Sequence, residues 1–190
     1  MKGESIFMLR KEVFDWGKAI FIGIAIAFIV RTFLFSTYVV DGESMMPTLK
    51  DGNLLVINKF GYEIGDINRF DVIVFHANKD EDYVKRVIGL PGDSIEYKDD
   101  QLYINNKKWN EPYLDDYKSS IKGTPFTADF NLNEVTGKTK VPPGYVFVEG
   151  DNRPKSYDSR LFGFVKIDKI VGKVDLLYWP LSSLNTNFNK

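Results

Sequence analysis

A continuous apolar run at residues 19–30 limits the structures open to this chain more than any other feature of its sequence. Arg31 and Thr32 interrupt the run, and three further apolar residues follow them. As an α-helix, residues 19–35 would be about 26 Å long, close to the roughly 30 Å of a bilayer core. We therefore predict a single membrane-spanning helix at residues 19–37.

The charges beside this run predict its orientation. Arg10, Lys11 and Lys18 precede it, whereas the next basic residue after Arg31 is Lys50. Because basic residues tend to stay on the cytoplasmic side of a membrane helix, we expect residues 1–18 in the cytoplasm and residues 38–190 outside the plasma membrane.

A cleaved signal peptide and a buried core helix both fit the run less well. A cleaved secretory signal peptide would need small residues at its cleavage site, and the run is followed by Arg-Thr-Phe-Leu-Phe instead. A buried core helix that lies against a sheet would need a polar face, and the run offers few polar positions on any face.

The amino-acid composition excludes several classes of site. The chain has no cysteine, so a thiol nucleophile, a cysteine zinc site and a disulfide are all excluded. His76 is the only histidine, which excludes metal sites built from two or more histidines. The net charge of −1 gives no indication of a nucleic-acid partner. We expect no metal or nucleotide cofactor.

From about residue 39 the sequence changes to short β-branched and aromatic runs separated by turn residues. No long amphipathic helix is indicated after residue 40. This pattern predicts an all-β body built from an antiparallel sheet. The predicted strands are residues 53–58, 71–75, 83–88, 101–104, 145–148, 170–174 and 176–181.

Residues 97–140 are more polar than the rest of the body and predict a small insertion of strands and loops, less ordered than its surroundings. A hairpin turn is expected at residues 105–108 and a loop at residues 115–127. The C-terminal residues 184–190 are expected to be loose.

Two sequence blocks suggest a nucleophile and its base. Ser44 lies in Gly-Glu-Ser-Met-Met-Pro-Thr-Leu, and Lys85 lies in Tyr-Val-Lys-Arg-Val-Ile-Gly. In a chain without cysteine and with one histidine, few side chains other than a lysine could act as the base for a serine nucleophile. A lysine amine becomes a base near neutral pH only when burial lowers its pKa from about 10.4, by up to roughly 3–5 units. Apolar neighbours such as Val84 and Met45 are expected to supply such surroundings.

Taken singly, these residues have simpler roles. Ser44 would more often be a turn former, and Lys85 an exposed strand residue. His76 could be the base of a Ser-His-Asp triad, but nothing near it matches a known triad arrangement. The S-x-x-K match at residues 119–122 and the G-K-T match at residues 137–139 lack their usual companions, and we treat both as chance.

A third block, residues 150–163, reads Gly-Asp-Asn-Arg-Pro-Lys-Ser-Tyr-Asp-Ser-Arg-Leu-Phe-Gly. The three blocks, in this order and spacing and behind an N-terminal anchor, resemble bacterial type I signal peptidases of the Gram-positive form. The resemblance covers nearly the whole chain from about residue 16. Three multi-residue motifs together are hard to obtain by chance.

The resemblance implies a role for each matching residue. Ser44 matches the nucleophile and Lys85 the general base of a Ser-Lys dyad, and Ser156 matches a serine that orients the lysine amine. The supporting residues that match are Asp158 and Arg160 as a bracing ion pair, Asp151 and Arg86 as further support, and Tyr83 beside the lysine. The implied reaction is cleavage of exported preproteins after small-x-small sequences such as Ala-x-Ala, through an acyl-enzyme, by a monomer anchored in the lipid bilayer.

The sequence departs from the family pattern at three places. The usual Gly-Asp after the serine block reads Gly-Asn at residues 52–53, and the usual Arg-Gly-Asp reads Arg-Phe-Asp at residues 69–71. Gly42 stands where some members have a serine that donates a hydrogen bond to the oxyanion. The backbone N–H of Ser44 is therefore the main donor expected, and the sequence does not identify a second one.

Two other functions remain open. A self-cleaving Ser-Lys regulator of the repressor type has a related catalytic body, but it needs a DNA-binding helix-turn-helix where this chain has its apolar run. A catalytically silent, membrane-tethered β module that binds exported proteins would not need all of the matching side chains.

Overall fold

The computed structural model describes residues 2–29, 35–59, 67–120 and 125–188. Its longest helix, α1 (Lys2–Ile29), comes first and is followed by a body made mainly of strands. The other helices are short: α2 (Asp115–Ser120), α3 (Leu132–Thr136) and α4 (Ser159–Phe162). The predicted all-β body is confirmed.

The larger of two sheets has seven strands, in the order β1-β2-β11-β3-β4-β9-β10, and every neighbouring pair is antiparallel. Its strands are β1 (Phe35–Val39), β2 (Leu54–Asn58), β3 (Val72–His76), β4 (Asp82–Gly89), β9 (Tyr145–Glu149), β10 (Val165–Lys166) and β11 (Ile170–Trp179). Successive side chains of a strand point to opposite faces of the sheet, so Leu55 and Ile57 share the inner face of β2, and both are 0 % exposed.

The seven-stranded sheet curls so that its first strand approaches a strand far along the order. Tyr38 on β1 donates a hydrogen bond to Asp82 on β4, although three strands separate β1 from β4. One apolar cluster fills the space enclosed by this curl, with Val40, Met45 and Leu49 among its buried members.

The curl leaves a slot between two strand edges. β4 pairs with β9 only from Arg86 onward, so residues 82–85 have no strand partner on that side within the described residues. β1 pairs with β2 on one side and is the outermost strand on the other. We call this gap between β1 and residues 82–85 the slot.

The insertion forms its own sheet of four antiparallel strands, in the order β7-β6-β5-β8. These strands are β5 (Ile95–Lys98), β6 (Gln101–Ile104), β7 (Lys107–Trp109) and β8 (Phe130–Asn131). Tyr97, Leu102 and Ile104 are at most 1 % exposed and pack in one cluster with Phe147 of β9. The expectation of a less ordered insertion is therefore wrong for its described part, because alternate side chains of β5 and β6 complete a core.

The structure also changes two expectations inside the insertion. Only Asn105 and Asn106 form the expected turn, both with positive φ, and residue 107 begins β7. The loop expected at residues 115–127 begins with α2, and residues 121–124 of that loop lie outside the described residues.

The predicted membrane-spanning segment differs from the structure at its C-terminal end. Phe35–Val39 is strand β1, which pairs with β2 residue by residue, so residues 35–37 belong to the sheet. Residues 30–34 of the expected segment lie outside the described residues. Across the described ranges, no helix combines the length and the hydropathy that crossing a membrane requires.

The described part of the C-terminal tail, residues 184–188, is docked on the body rather than loose as expected. Leu177 and Asn185 exchange backbone hydrogen bonds, Phe188 is 7 % exposed, and its carbonyl accepts a hydrogen bond from Arg86. The buried aromatic ring accounts for the docking, since its burial favours a fixed position of the chain.

Candidate active site

Ser44 lies in a tight segment directly after β1. Gly42 has φ +87°, and its backbone N–H donates to the Asp51 carboxylate over 2.8 Å. Met45, the residue after the serine, is 1 % exposed, and its carbonyl accepts a hydrogen bond from the backbone N–H of Leu49. The serine is thus fixed between a glycine turn and a buried apolar anchor.

Lys85 projects from β4 to the same place. Its side-chain nitrogen Nζ lies 2.7 Å from Ser44 Oγ and donates to the Val84 carbonyl over 2.9 Å. The Tyr83 ring centroid is 5.3 Å from this nitrogen. Lys85 is only 4 % exposed. The structure therefore brings together the serine, the lysine and the tyrosine that the sequence singles out.

Burial lowers the pKa of Lys85 to about 8. Desolvation is the main cause, because it penalises the charged ammonium. The carboxylates of Asp158 and Asp151 act in the opposite direction and limit the drop. At pH values near 8 a large fraction of this amine is neutral and able to accept a proton.

Ser156 lies near the Ser44 backbone but makes no hydrogen bond to the lysine. Its hydroxyl is buried and has no hydrogen-bond partner among the described residues. It packs against Gly150, where an added Cβ would come closer than 3.0 Å to both Ser156 Oγ and the Ser44 carbonyl oxygen. The role implied for Ser156, orientation of the lysine amine, stays a prediction.

Asp158 and Arg160 form a two-point ion pair. Arg160 donates to both carboxylate oxygens, with its Nε at 2.8 Å and an Nη at 2.7 Å. Asp158 is 0 % exposed and also accepts the backbone N–H of Gly150 over 3.1 Å. The pair therefore fixes the segment after β9, and this segment contacts the backbone of Ser44.

Arg86 and Asp151 form a second two-point ion pair, and both side chains are fully buried. Their bonds measure 2.8 Å from Nε and 2.6 Å from an Nη. Thr48, four residues after the serine, donates its hydroxyl to the same carboxylate. Arg86 also donates to the Phe70 carbonyl. This pair ties β4, the serine segment and the segment after β9 together.

Several residues that support the site were not singled out from the sequence. The backbone N–H of Asn152 donates to the Ser44 carbonyl over 3.0 Å, and its side chain donates to the Glu43 carbonyl. Arg153 donates to the Gly150 carbonyl and pairs with Glu111 of the insertion. Membership in the third sequence block could have identified Asn152 and Arg153, whereas nothing in the sequence points to Glu111.

His76 takes no part in a triad with Ser44. It is the last residue of β3, one position beyond the strand predicted at residues 71–75, and its Nδ1 lies 2.5 Å from an Asp82 oxygen. Of the matches treated as chance, Ser119 donates to the Asp116 carbonyl within α2, and Gly137 ends α3. Lys122 lies outside the described residues. Among the residues that the structure describes, no cluster of three or more acidic residues and histidine could hold a metal ion.

The departures from the family pattern are structural. Asn53 is 5 % exposed, and its side chain accepts the backbone N–H of Lys50. Phe70 has φ +70°, a conformation that favours glycine, and its ring packs against Trp109 and Tyr113 of the insertion. These ring contacts offset the cost of the unfavourable backbone conformation.

Ser44 and Lys85 open onto a cleft of about 470 Å³ that follows the slot. Residues 38–45 form one wall, and residues 82–85 form the other. Lys155 and Tyr157 line the cleft from the third sequence block. An extended peptide fits such a space, because its backbone could pair with the free edge of a strand.

Comparison with known proteins matches this chain to one protein family. The family model described as signal peptidase, peptidase S26, matches residues 13–179. Signal peptidase I of Bacillus caldolyticus is 61 % identical over 168 residues, which are 88 % of this chain and 92 % of the relative. Signal peptidase IB of Staphylococcus aureus (strain COL) is 45 % identical over 185 residues, 95 % of this chain and 97 % of the relative.

A solved structure supports the same grouping. The crystal structure of a signal peptidase I from Enterococcus faecalis V583 superimposes with a TM-score of 0.56 and 45 % sequence identity. The match covers 58 % of this chain and 98 % of that chain.

Proposed function

This chain belongs to the signal peptidase family, peptidase S26, and from that membership we propose that its catalytic groups are Ser44 and Lys85. It is a serine peptidase of the signal peptidase I type, an enzyme that removes signal peptides. Of the open alternatives, neither a silent module nor a self-cleaving regulator accounts for these matches. The observation that carries the proposed dyad is the 2.7 Å separation of Lys85 Nζ and Ser44 Oγ.

The proposed chemistry begins with the neutral amine of Lys85. It accepts the hydroxyl proton of Ser44 while the serine oxygen attacks the carbonyl carbon of the scissile bond. The resulting ammonium then donates its proton to the leaving amine, which gives an acyl-enzyme. Water activated by the same amine releases the signal peptide. The lowered pKa of Lys85 supports this role, because it raises the neutral fraction at moderate pH.

The oxyanion would be stabilised mainly by the backbone N–H of Ser44, in this proposal. No described residue accepts a hydrogen bond from that N–H. The N–H of Gly42 is already donated to Asp51, so it is a poor second donor. One oxyanion donor contributes about 3–4 kcal/mol to the transition state in other serine peptidases.

The substrate in this proposal is an exported preprotein with a small-x-small sequence before the cleaved bond. Its extended segment would add a strand in the slot, with the small side chains over the apolar floor formed by Val40, Met45 and Val84. The slot closes beyond Lys85, where β4 begins to pair with β9. The part of the substrate before the cleaved bond therefore occupies the slot.

We extend the proposal to the location of the enzyme. Residues 1–18 lie in the cytoplasm, the apolar run anchors a monomer in the bilayer, and the β domain lies on the outer face. Six large apolar side chains of the run support attachment, since each is more than half exposed: Ile20, Phe21, Ile22, Ile24, Ile26 and Phe28. Alkaline carbonate extraction should leave the protein in the membrane pellet, and release into the supernatant would contradict the anchor.

The dyad is tested by two substitutions in the full-length protein. Ser44→Ala and Lys85→Met should each reduce cleavage of a purified preprotein by at least about a thousandfold, because each removes a group from the bond-making step. Lys85→Met keeps an apolar chain of similar length in the buried site.

Circular dichroism of both variants separates loss of chemistry from loss of fold. A folded Lys85→Met protein that retains a tenth or more of the wild-type rate would rule out the lysine as base. His76→Gln provides a comparison, since that residue contacts Asp82 and not Ser44. The His76→Gln variant should cleave a substrate that carries no charge near the cleaved bond at about the wild-type rate.

A further inference from the structure

At the end away from Lys85, a hydrogen bond between two side chains bridges the two strands that border the slot. Tyr38 of β1 donates its hydroxyl to Asp82 Oδ2 of β4 over 2.9 Å. His76 of β3 approaches the other oxygen of the same carboxylate, at 2.5 Å. Asp82 therefore accepts hydrogen bonds from two other strands, and its position is well fixed.

Strand alternation places this bond on the same side of the slot as the apolar floor. Asp82 and Val84 are two positions apart on β4, and Tyr38 and Val40 are two positions apart along β1 and its end, so each pair shares a face. Tyr38, Val40 and Val84 all pack in the same apolar cluster. The floor thus runs from the dyad to a polar end formed by Tyr38 and Asp82.

The length of the floor can be expressed in substrate residues. Lys85 and Asp82 are three positions apart on β4, a distance of about 10 Å at roughly 3.3 Å per residue. An extended substrate covers this distance with about three residues. If the part before the cleaved bond occupies the slot, as in the proposed function on which this inference rests, side chains about three to five residues upstream lie beside Asp82.

The Asp82 carboxylate has room for a further donor. Its side chain is 25 % exposed, and an ionised carboxylate offers about four acceptor positions, of which Tyr38 and His76 occupy two. Lys155, at the other end of the cleft, is paired with Glu43 over 3.2 Å. The lining carboxylates without a lysine partner are therefore those of the exposed Asp41, near Ser44 in the chain, and of Asp82, at the polar end of the floor.

We propose that Asp82, positioned by Tyr38 and His76, is a specificity-determining residue that selects the charge of the substrate upstream of the small-x-small sequence. A lysine or arginine side chain four or five residues before the cleaved bond, just upstream of the small-x-small sequence, reaches the carboxylate and is favoured. An acidic side chain at the same place meets a like charge and is disfavoured. This selection acts on binding along the slot and leaves the choice of cleaved bond to the floor near Ser44.

The test compares matched peptides that share an Ala-x-Ala sequence directly before the cleaved bond and carry Lys, Gln or Glu at either the fourth or the fifth residue before that bond. Full-length wild-type protein in detergent should give a kcat/KM ratio of Lys to Glu of about threefold to tenfold at its most sensitive position, as expected for partly exposed charges. The ratio should fall towards one in high salt, because the interaction is screened.

Asp82→Asn should bring the Lys-to-Glu ratio to within about twofold of one, since an amide keeps the shape and loses the charge. Asp80→Asn is the matched control, because Asp80 is exposed on the turn before β4 and lies outside the cleft. It should keep the wild-type ratio. A ratio near one in the wild type, or an unchanged ratio in Asp82→Asn, would overturn the inference. Failure of the wild type to cleave the Gln peptides at all would instead count against the proposed function.

Discussion

The burial of Lys85 has opposite consequences for stability and for reactivity. An ammonium group in an apolar site is unfavourable, so the folded protein holds this proton less tightly than the unfolded chain does. The pKa falls from the ordinary value of 10.5 to about 8. The neutral amine that results can act as a base at pH values where an exposed lysine would be almost fully charged.

We predict that cleavage follows the titration of this one amine. Below pH 8 the rate should rise about tenfold per pH unit, because the neutral fraction does so, and it should level off above about pH 8. The measurement is kcat/KM against pH, with a peptide that has no ionisable group near the cleaved bond. Circular dichroism at each pH verifies that the fold is unchanged. A rate that keeps rising to pH 10 would show that the base is not a buried lysine.

Among structural elements, the junction between β9 and the segment after it matters most for the site. Gly150 lies where the Ser44 backbone and the Ser156 side chain come closest, and its N–H is bonded to Asp158. Asn152 then bonds the Ser44 carbonyl. Ser44 is therefore positioned by a neighbouring segment as well as by its own turn.

We expect Gly150→Ala to inactivate the enzyme. The added methyl group would come closer than 3.0 Å to the Ser44 carbonyl oxygen, so the serine segment would have to move. A shift of about 1 Å in a reacting group costs on the order of a hundredfold in rate. Gly23→Ala in α1 is the control, because its added Cβ meets nothing within 4 Å. Wild-type activity in Gly150→Ala would show that the contact is not needed.

The sequence predicts several strands closely, because each of them is a run of β-branched, aromatic or other apolar residues. Residues 101–104 match β6 in full, and residues 71–75 differ from β3 by one position at each end. The sequence pattern instead places residues 35–37 of β1 in the anchor, since Phe35 continues an apolar run. The strands predicted at residues 170–174 and 176–181 are one strand in the structure, β11, which continues through a bulge in its pairing with β2.

The candidate site was predictable to the extent that it lies in contiguous motifs. Ser44 and Lys85 belong to such motifs, and the structure places their side chains 2.7 Å apart. Contacts between distant segments, such as that of Arg153 with Glu111, are set by the packing of the insertion on the body. A single sequence carries no signal of that packing, because neither residue type nor spacing specifies the partner.

At the scale of the whole molecule, a buried polar cluster joins the insertion to the catalytic body. Arg153 lies between Glu149 of β9 and Glu111 of the insertion, and all three side chains are almost fully buried. Tyr97 and Tyr113 of the insertion both donate to Glu111. The insertion thereby contributes to the support of the segment that fixes Ser44.

This cluster should make stability depend on pH. Burial raises the pKa of Glu149 to about 7, although Arg153 and Arg160 oppose the change. The folded protein then binds this proton more tightly than the unfolded chain, so stability should fall as pH rises from about 4.5 to 7. We expect Glu149→Gln to remove this decline, measured by urea unfolding of the full-length protein. Glu96→Gln, at an exposed position of β5, should keep it. An unchanged decline in Glu149→Gln would assign it to other groups.

The short connection between α1 and β1 has a consequence for which bonds the enzyme can reach. Six positions separate Ile29 from Phe35, and such a length of chain spans at most about 20 Å. With α1 in the bilayer as proposed, the slot stays within this reach of the membrane surface. A preprotein whose own apolar segment lies in the same bilayer can then present only bonds at a matching height. The length of this connection would therefore limit how far from the membrane surface a signal peptide is cut.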